Sequence, residues 1–388
     1  MKKIAVITST RAEFGLLMPV IKALREYETE NLKIELVVTG THLGYEFGHT
    51  VDEIIKFQFR IDHEIEIPLK TDQEIDIATN QAETLKRFTN LFVEEKYSAA
   101  VLLGDRYEML AIAVAAGNTK TPIFHLCGGD TTEGAIDEWI RHSITKMSYL
   151  HFVTNTESYQ RVVQMGENPD RVFNFGSTSI DNVKNSAVMP EVEALQSLGL
   201  PSCKYAICTY HPVTLDNADV KRQIEEFLKA IELFPEIEFI ITKANADQGG
   251  AYINKTLEET EPSILNMHVC ASLGAVRYLS LMKHAQFVLG NSSSGIIETP
   301  AFRIPTINIG DRQKGRLQSE SIINCETEAG SIANAIKKAM TQEFRSLCRK
   351  VVSPYGDGDA GRRIAEKIVE TVKEGDINLK KKFYNMRF

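Results

Sequence analysis

Residues 2–15 read KKIAVITSTRAEFG, and this opening decides the fold. Lys3–Thr8 (KIAVIT) is a short apolar run bounded by polar residues, which reads as a strand buried on both faces. A helical pattern follows from about Leu16 to Tyr27. The same unit recurs downstream. Strands are expected at 34–39 (IELVVT), 99–103 (AAVLL), 122–126 (PIFHL), near 150–154 and near 171–175. Helices are expected at about 73–95, 107–117 and 136–147. After a loop around Pro190–Pro201 the alternation restarts, with YAICTY at 205–210, EFIIT at 238–242, FVLG at 287–290 and TINIG at 306–310. Such alternation marks parallel sheets covered by helices on both faces. The expected fold is α/β, with two Rossmann-like, doubly wound domains facing a cleft: residues 1–185 and 186–358. Residues 359–388 supply a last helix, from about Gly361 to Glu374, and a basic, aromatic tail (KKKFYNMRF), expected to pack back on the first domain.

Composition narrows the function. A chain of 388 residues exceeds one ordinary core and fits two domains of roughly 150–200 residues. The 43% hydrophobic and 25% charged content is that of a globular protein. A formal charge of −8 repels nucleic acid and anionic membrane, so an anionic ligand needs a local basic pocket. The apolar run IAVI is too short for a signal peptide, and no run approaches the roughly 20 residues that span a bilayer. Six cysteines, at 127, 203, 208, 270, 325 and 348, include no C-x-x-C pair. They fit reduced thiols and a cytoplasmic protein.

In open parallel sheets, ligands bind beyond the C-terminal ends of the strands. The polar residues that follow strands are therefore the candidates. Arg11 and Glu13 follow the first strand. Asp105, Arg106 and Glu108 follow AAVLLG. His125, Asp130, Glu133, Asp137, Glu138, Arg141 and His142 end or follow PIFHL. His211, Asn245 with Asp247, Asn291–Ser294, and Arg312 with Arg316 follow the later strands. GNSSSGIIE (290–298) is the best local anion signal, because a strand runs through hydroxyl residues into a helix N-terminus. An ordinary serine N-cap explains the same residues. Glu298 lies one turn into that helix, either for ribose hydroxyls or as a favourable first-turn charge. No Walker loop, GxGxxG after the first strand, HExxH or GxSxG is present, so the motifs call for no cofactor and no metal. What remains is a set of Arg and His groups beside carboxylates. The first can neutralise a diphosphate and the second can move protons. His125, His142 and Trp139 also read as ordinary structural residues, Trp139 as helix packing.

STRAEFG, THLGYEFGHT, LGDRYE, GGDTTEGAIDEWIRHSITKMS, YHPVT, ANADQGG, GNSSSGIIETPAF and INIGDRQKGR occur in that order over residues 1 to about 320. As a set they resemble the hydrolysing UDP-N-acetylglucosamine 2-epimerases of sialic-acid biosynthesis. The resemblance implies a GT-B-like pair of domains, a homo-oligomer (dimer or tetramer), and a UDP-sugar substrate. It implies conversion of UDP-GlcNAc and water to ManNAc and UDP. Close relatives in that family act on 2,4-diacetamido-trideoxy sugars. By resemblance, Arg11, Arg106, His211, Asn245, Ser292, Ser293, Glu298 and Arg312 fall on UDP-contacting positions. Asp105 and Asp137 fall on acid/base positions, with Asp130 and Glu133 in reserve. The family often has an acid two residues after the histidine of its HxEGG motif. Here that residue is Cys127, and the next family glutamate is shortened to Asp130. A GT-B glycosyltransferase and an inactive sugar-nucleotide sensor are the competing readings.

Overall fold

A computed structural model describes the chain apart from residues 71–72, 133–135, 186–187, 213–219, 245–248, 376 and 387–388, and the side chains of residues 46 and 74. It divides into two compact units. The first comprises Met1–Asn182 and Tyr355–Phe388, the second Val183–Pro354.

The first unit holds seven parallel strands: β1 (Lys2–Thr8), β2 (Leu32–Thr39), β3 (His63–Ile65), β4 (Ala99–Leu103), β5 (Ile123–Leu126), β6 (Leu150–Val153) and β7 (Val172–Asn174). Their order is β3-β2-β1-β4-β5-β6-β7. Central strands are buried on both faces, as their unbroken apolar runs require. On β1, Ile4 and Val6 pack with the helices Arg11–Arg25 and Ala360–Glu374, while Ala5 and Ile7 pack with Glu74–Glu95 and Tyr107–Asn118. The chain runs from β1 outward through β2 and β3, then returns to β1's other side as β4. That reversal leaves a crevice at the C-terminal ends of β1 and β4.

The second unit repeats the scheme with six parallel strands: β8 (Tyr205–Thr209), β9 (Glu238–Thr242), β10 (Met267–Cys270), β11 (Val288–Gly290), β12 (Thr306–Ile309) and β13 (Ile322–Cys325). Their order is β10-β9-β8-β11-β12-β13, so the reversal falls between β8 and β11. The segment around 190–201 forms a short helix, Glu191–Gln196, whose Ala194 and Leu195 are buried against the second sheet's core.

Several elements differ from expectation. The first helix starts at Arg11 rather than about Leu16, because Thr10 and Glu13 form a capping box. Pro19 sits inside that helix. Proline has no N–H, so the carbonyl of Gly15 loses its helical donor, and Asn182 Nδ2 donates to it at 2.7 Å instead. The last helix crosses at this point. A Cβ on Gly361 would lie 2.7 Å from Pro19 Cβ, and Asp181 accepts from the backbone N–H groups of Ala360 and Gly361 at 3.1 and 2.7 Å. The tail docks too. Lys381 Nζ donates to the carbonyls of Lys146 and Ser148 and pairs with Glu167 at 2.6 Å. Strands β3, β10 and β13 are additional to the expected set.

Candidate active site

In the first unit, β4 is followed by Gly104, held at φ +98°, and the chain turns through Asp105 and Arg106 into the helix Tyr107–Asn118. β5 ends at Leu126. Cys127 then adopts φ +63°, a left-handed conformation costing about 1–3 kcal/mol for a residue with a side chain. Its N–H still bonds Phe152 O at 2.9 Å. Gly129 follows at φ +80°, where a Cβ would come within 2.4 Å of Ser158 O. This close approach seats Asp130 against the helix Thr156–Gln164, where Thr154 Oγ1 and Ser158 Oγ donate to its Oδ1 at 2.7 and 2.6 Å.

Arg141, on the helix Asp137–Met147, organises this region. It is 4% exposed. One terminal nitrogen pairs with the Asp105 carboxylate and donates to Thr132 Oγ1 at 2.8 Å. The other donates to Asp130 O at 2.7 Å and pairs with Glu138 at 3.2 Å. Glu138 also accepts from Thr132 N at 2.6 Å and meets His142 at 3.0 Å. One guanidinium thus binds the carboxylate of Asp105 and the backbone of Asp130, fixing two expected acids relative to each other. Asp137 opens the same helix and is half-buried. Glu133 lies outside the described residues.

His125 is fully buried between Gly104 O and Thr145 Oγ1, each at 3.3 Å. Burial pushes it down to about 3, so it is a neutral structural imidazole. Trp139, expected to pack, is instead 54% exposed, because its position on the helix faces away from the buried Ile140 and Ile144. Arg11 pairs with Glu53 at 3.0 Å, and Arg106 Nε with Glu108 at 2.7 Å.

In the second unit, the β8–β11 reversal is closed by Asn291. Its Oδ1 accepts from His211 N at 2.7 Å, and its Nδ2 donates to His211 O at 2.8 Å. Its own carbonyl accepts from Arg312 Nη1 at 3.1 Å and Gln313 Nε2 at 2.8 Å. Gly290 before it sits at φ +138°, and a Cβ there would lie 1.9 Å from Thr209 O. His211 is buried, and burial, then the charge of Arg312, pushes it down to about 4. It is a neutral group rather than a counter-ion, and the positive charge here is Arg312.

The serine segment is less helical than expected. Ser292 is an N-cap accepting from Ser294 N at 3.4 Å, and the helix Ser293–Ile297 has only five residues. Its dipole is correspondingly slight. Glu298 is not in the first turn but at the C-cap, where it accepts from Ser294 Oγ at 2.6 Å and burial raises its carboxyl. Asn245 lies outside the described residues.

Sequence reasoning placed Arg141 and Asn291 after strands but gave neither a role. The local signal for Arg141 is its spacing of three from Glu138, with which it pairs on one helix face; its link to Asp105 has no such signal. A separate polar cluster joins Glu35, His63 and Glu95, with possible ligand atoms within 4.8 Å of one another. Lys3 Nζ pairs with Glu95 and lies 3.4 Å from Glu35, so an ammonium already supplies the cation there.

Comparison with known proteins accords with this layout. Residues 23–369 match the family model described as UDP-N-acetylglucosamine 2-epimerase. The chain is 38% identical over 346 residues to the GDP/UDP-N,N'-diacetylbacillosamine 2-epimerase (hydrolyzing) of Campylobacter jejuni, covering 89% of each chain. It is 30% identical over 390 residues to the UDP-N-acetylglucosamine 2-epimerase of Neisseria meningitidis serogroup B, covering 100% of each. Its fold resembles the crystal structure of UDP-GlcNAc 2-epimerase from Neisseria meningitidis bound to UDP-GlcNAc, with TM-score 0.78 at 19% identity over 95% of this chain and 100% of that one. Two parallel α/β units, a match across most of the length and relatives similar from end to end give one conclusion: the chain belongs to the UDP-N-acetylglucosamine 2-epimerase family.

Proposed function

We propose that this protein is a hydrolysing 2-epimerase that converts UDP-N-acetylglucosamine and water to N-acetylmannosamine and UDP. The observation that carries this reading is the pair Asp105 and Asp130, tied to one buried guanidinium at the ends of β4 and β5. Inversion at C2 needs a group that takes a proton from one face and a group that returns one to the other. Carboxylates in different surroundings suit that task. Asp105 rests on Arg141, while Asp130 accepts two hydroxyl hydrogens. Asp137 and Glu133 complete the set on motif grounds.

In the first stage, UDP leaves C1 with the bonding electrons while a carboxylate removes the C2 proton, giving 2-acetamidoglucal. In the second, a proton returns to the opposite face of C2 and water adds at C1. Arg312, Ser292 and Ser293 would hold the diphosphate, with His211 as a neutral hydrogen-bonding group and Glu298 on the ribose. On the motif set alone, Arg11, Arg106 and Asn245 are further candidates for UDP contact. The Campylobacter relative, named as a hydrolyzing diacetylbacillosamine 2-epimerase, favours a second reading: the same reaction on UDP-N,N'-diacetylbacillosamine.

The test is to incubate the purified protein with each nucleotide sugar and analyse the products. Equal amounts of UDP and free 2-epimerised sugar are expected, and the faster substrate decides between the two sugars. An epimerised sugar still attached to UDP would place the chain among non-hydrolysing enzymes. Turnover only with an added acceptor would indicate a glycosyltransferase. Binding without turnover would support the sensor reading raised by Cys127.

A further inference from the structure

Ser9, Glu13 and Glu108 meet at the C-terminal ends of β1 and β4, and the reaction above uses none of them. Ser9 Oγ lies 2.8 Å from Glu13 Oε2 and 2.9 Å from Glu108 Oε1. The three residues are 0%, 5% and 1% exposed. Serine carries one hydroxyl hydrogen, so Ser9 can donate to only one carboxylate. With both acids ionised, the other would face a hydroxyl oxygen at hydrogen-bond distance with no hydrogen between them. Glu13 Oε2 also accepts from the backbone N–H groups of Ser9 and Thr10 at 2.9 and 3.2 Å, but these leave the contact with the Ser9 hydroxyl in place, and Glu13 Oε1 and Glu108 Oε2 have no hydrogen-bond partner among the described residues. Among the described residues the cation paired with them is Arg106, whose Nε lies 2.7 Å from Glu108 Oε1. Two buried carboxylates therefore share one guanidinium, and an unbalanced buried charge is costly.

We propose that Glu13 and Glu108 hold one proton between them at neutral pH, bridged by Ser9, and that this proton keeps the surroundings of Arg106 free of surplus negative charge. Glu13 and Glu108 then act as positioning residues for Arg106. The remaining neighbours leave the balance unchanged. Arg11, on the same helix, turns to Glu53 at 3.0 Å. His42, beyond β2, is held between Thr8 Oγ1 and Thr50 Oγ1 at 3.0 and 2.8 Å, and burial keeps it neutral at about 4. Gly104 closes the last side, where a Cβ would lie 2.8 Å from Glu13 Oε1. Burial, and then the charge of Glu108, push Glu13 up to about 8. An acid raised above its unfolded value binds an extra proton in the folded state. Stability should therefore fall as pH rises from about 4.5 to about 8, and level off beyond.

Thermal melting from pH 5 to 9.5 on the wild type, Glu13→Gln and Glu108→Gln tests the shared proton. Each variant removes one acid of the pair, so its melting temperature should fall less across pH 5–8 than that of the wild type. Parallel curves in wild type and variants would overturn the proposal, since glutamine also serves a capping box and a purely structural role shifts stability equally at every pH. If Glu13→Gln fails to fold, Glu108→Gln carries the same comparison. A second arm measures UDP affinity by calorimetry and rests on the reading of Arg106 as a nucleotide contact. Wild-type affinity should weaken roughly three- to tenfold between pH 7 and 9, with a flat profile in Glu13→Gln. Equal pH profiles would remove the link to Arg106. No UDP binding at any pH would overturn the functional reading and leave the shared proton to the melting curves.

Discussion

The two reversals of strand order have the same topology and opposite chemistry. At β1–β4 and neighbouring β5, the polar groups are ionised or acidic side chains held by other side chains: Asp105 on Arg141, Asp130 on two hydroxyls, Glu13 and Glu108 on Ser9. At β8–β11 they are mostly backbone groups and uncharged side chains: a glycine with no room for Cβ, an asparagine bracing a histidine backbone and a serine cap, joined by the guanidinium of Arg312 and one buried carboxyl, Glu298, held on Ser294. The doubly wound fold supplies a crevice in both cases, and residue type decides what each crevice can do. Carboxylates can exchange protons, whereas amides, hydroxyls and a guanidinium can hold a diphosphate without reacting with it.

Separate substitutions break this contrast. Asp105→Asn keeps the shape and removes the proton acceptor, so turnover should drop by roughly 10²–10⁴-fold while UDP affinity stays within about twofold. Steady-state kinetics and calorimetry on the same preparation check it, and near-normal turnover would transfer the role to Asp130, Asp137 or Glu133. At the other crevice, Gly290→Ala forces Cβ into the carbonyl of Thr209 at a backbone angle that L-residues avoid. A loss on the order of 3–5 kcal/mol is expected in denaturant unfolding. A loss below about 1 kcal/mol would show that β8 and β11 are not pinned there. Converting Ser292 and Ser293 together to alanine, or Arg312 alone, should weaken UDP binding by about 1.5–3 kcal/mol, while loss of the Ser292 cap costs only about 1 kcal/mol of stability. Unchanged affinity in a folded variant would remove these residues from the diphosphate site.

The central strands were legible because burial on both faces demands unbroken apolar runs, as in KIAVIT and AAVLL. His63–Ile65, Met267–Cys270 and Ile322–Cys325 are short, partly exposed and at or near sheet edges, so their residues carry little pattern to read. The start of the first helix was readable from T-x-x-E but was hidden by the polar turn around it. The candidate acids follow strands and could be located by position alone. Their organiser could not, because Arg141 acquires its meaning only when β4, β5 and its own helix come together. Pro19 shows the same limit: the donor that replaces its missing N–H comes from Asn182, far along the chain.

The most direct test of proton chemistry at the first crevice is turnover of the nucleotide sugar in deuterium oxide, followed by nuclear magnetic resonance of the free sugar. Removal of the C2 proton and its return from an exchangeable acid predict a 2-epimerised product carrying deuterium at C2. A 2-epimerised product that retains protium at C2 would contradict solvent-exchanged proton transfer by these carboxylates.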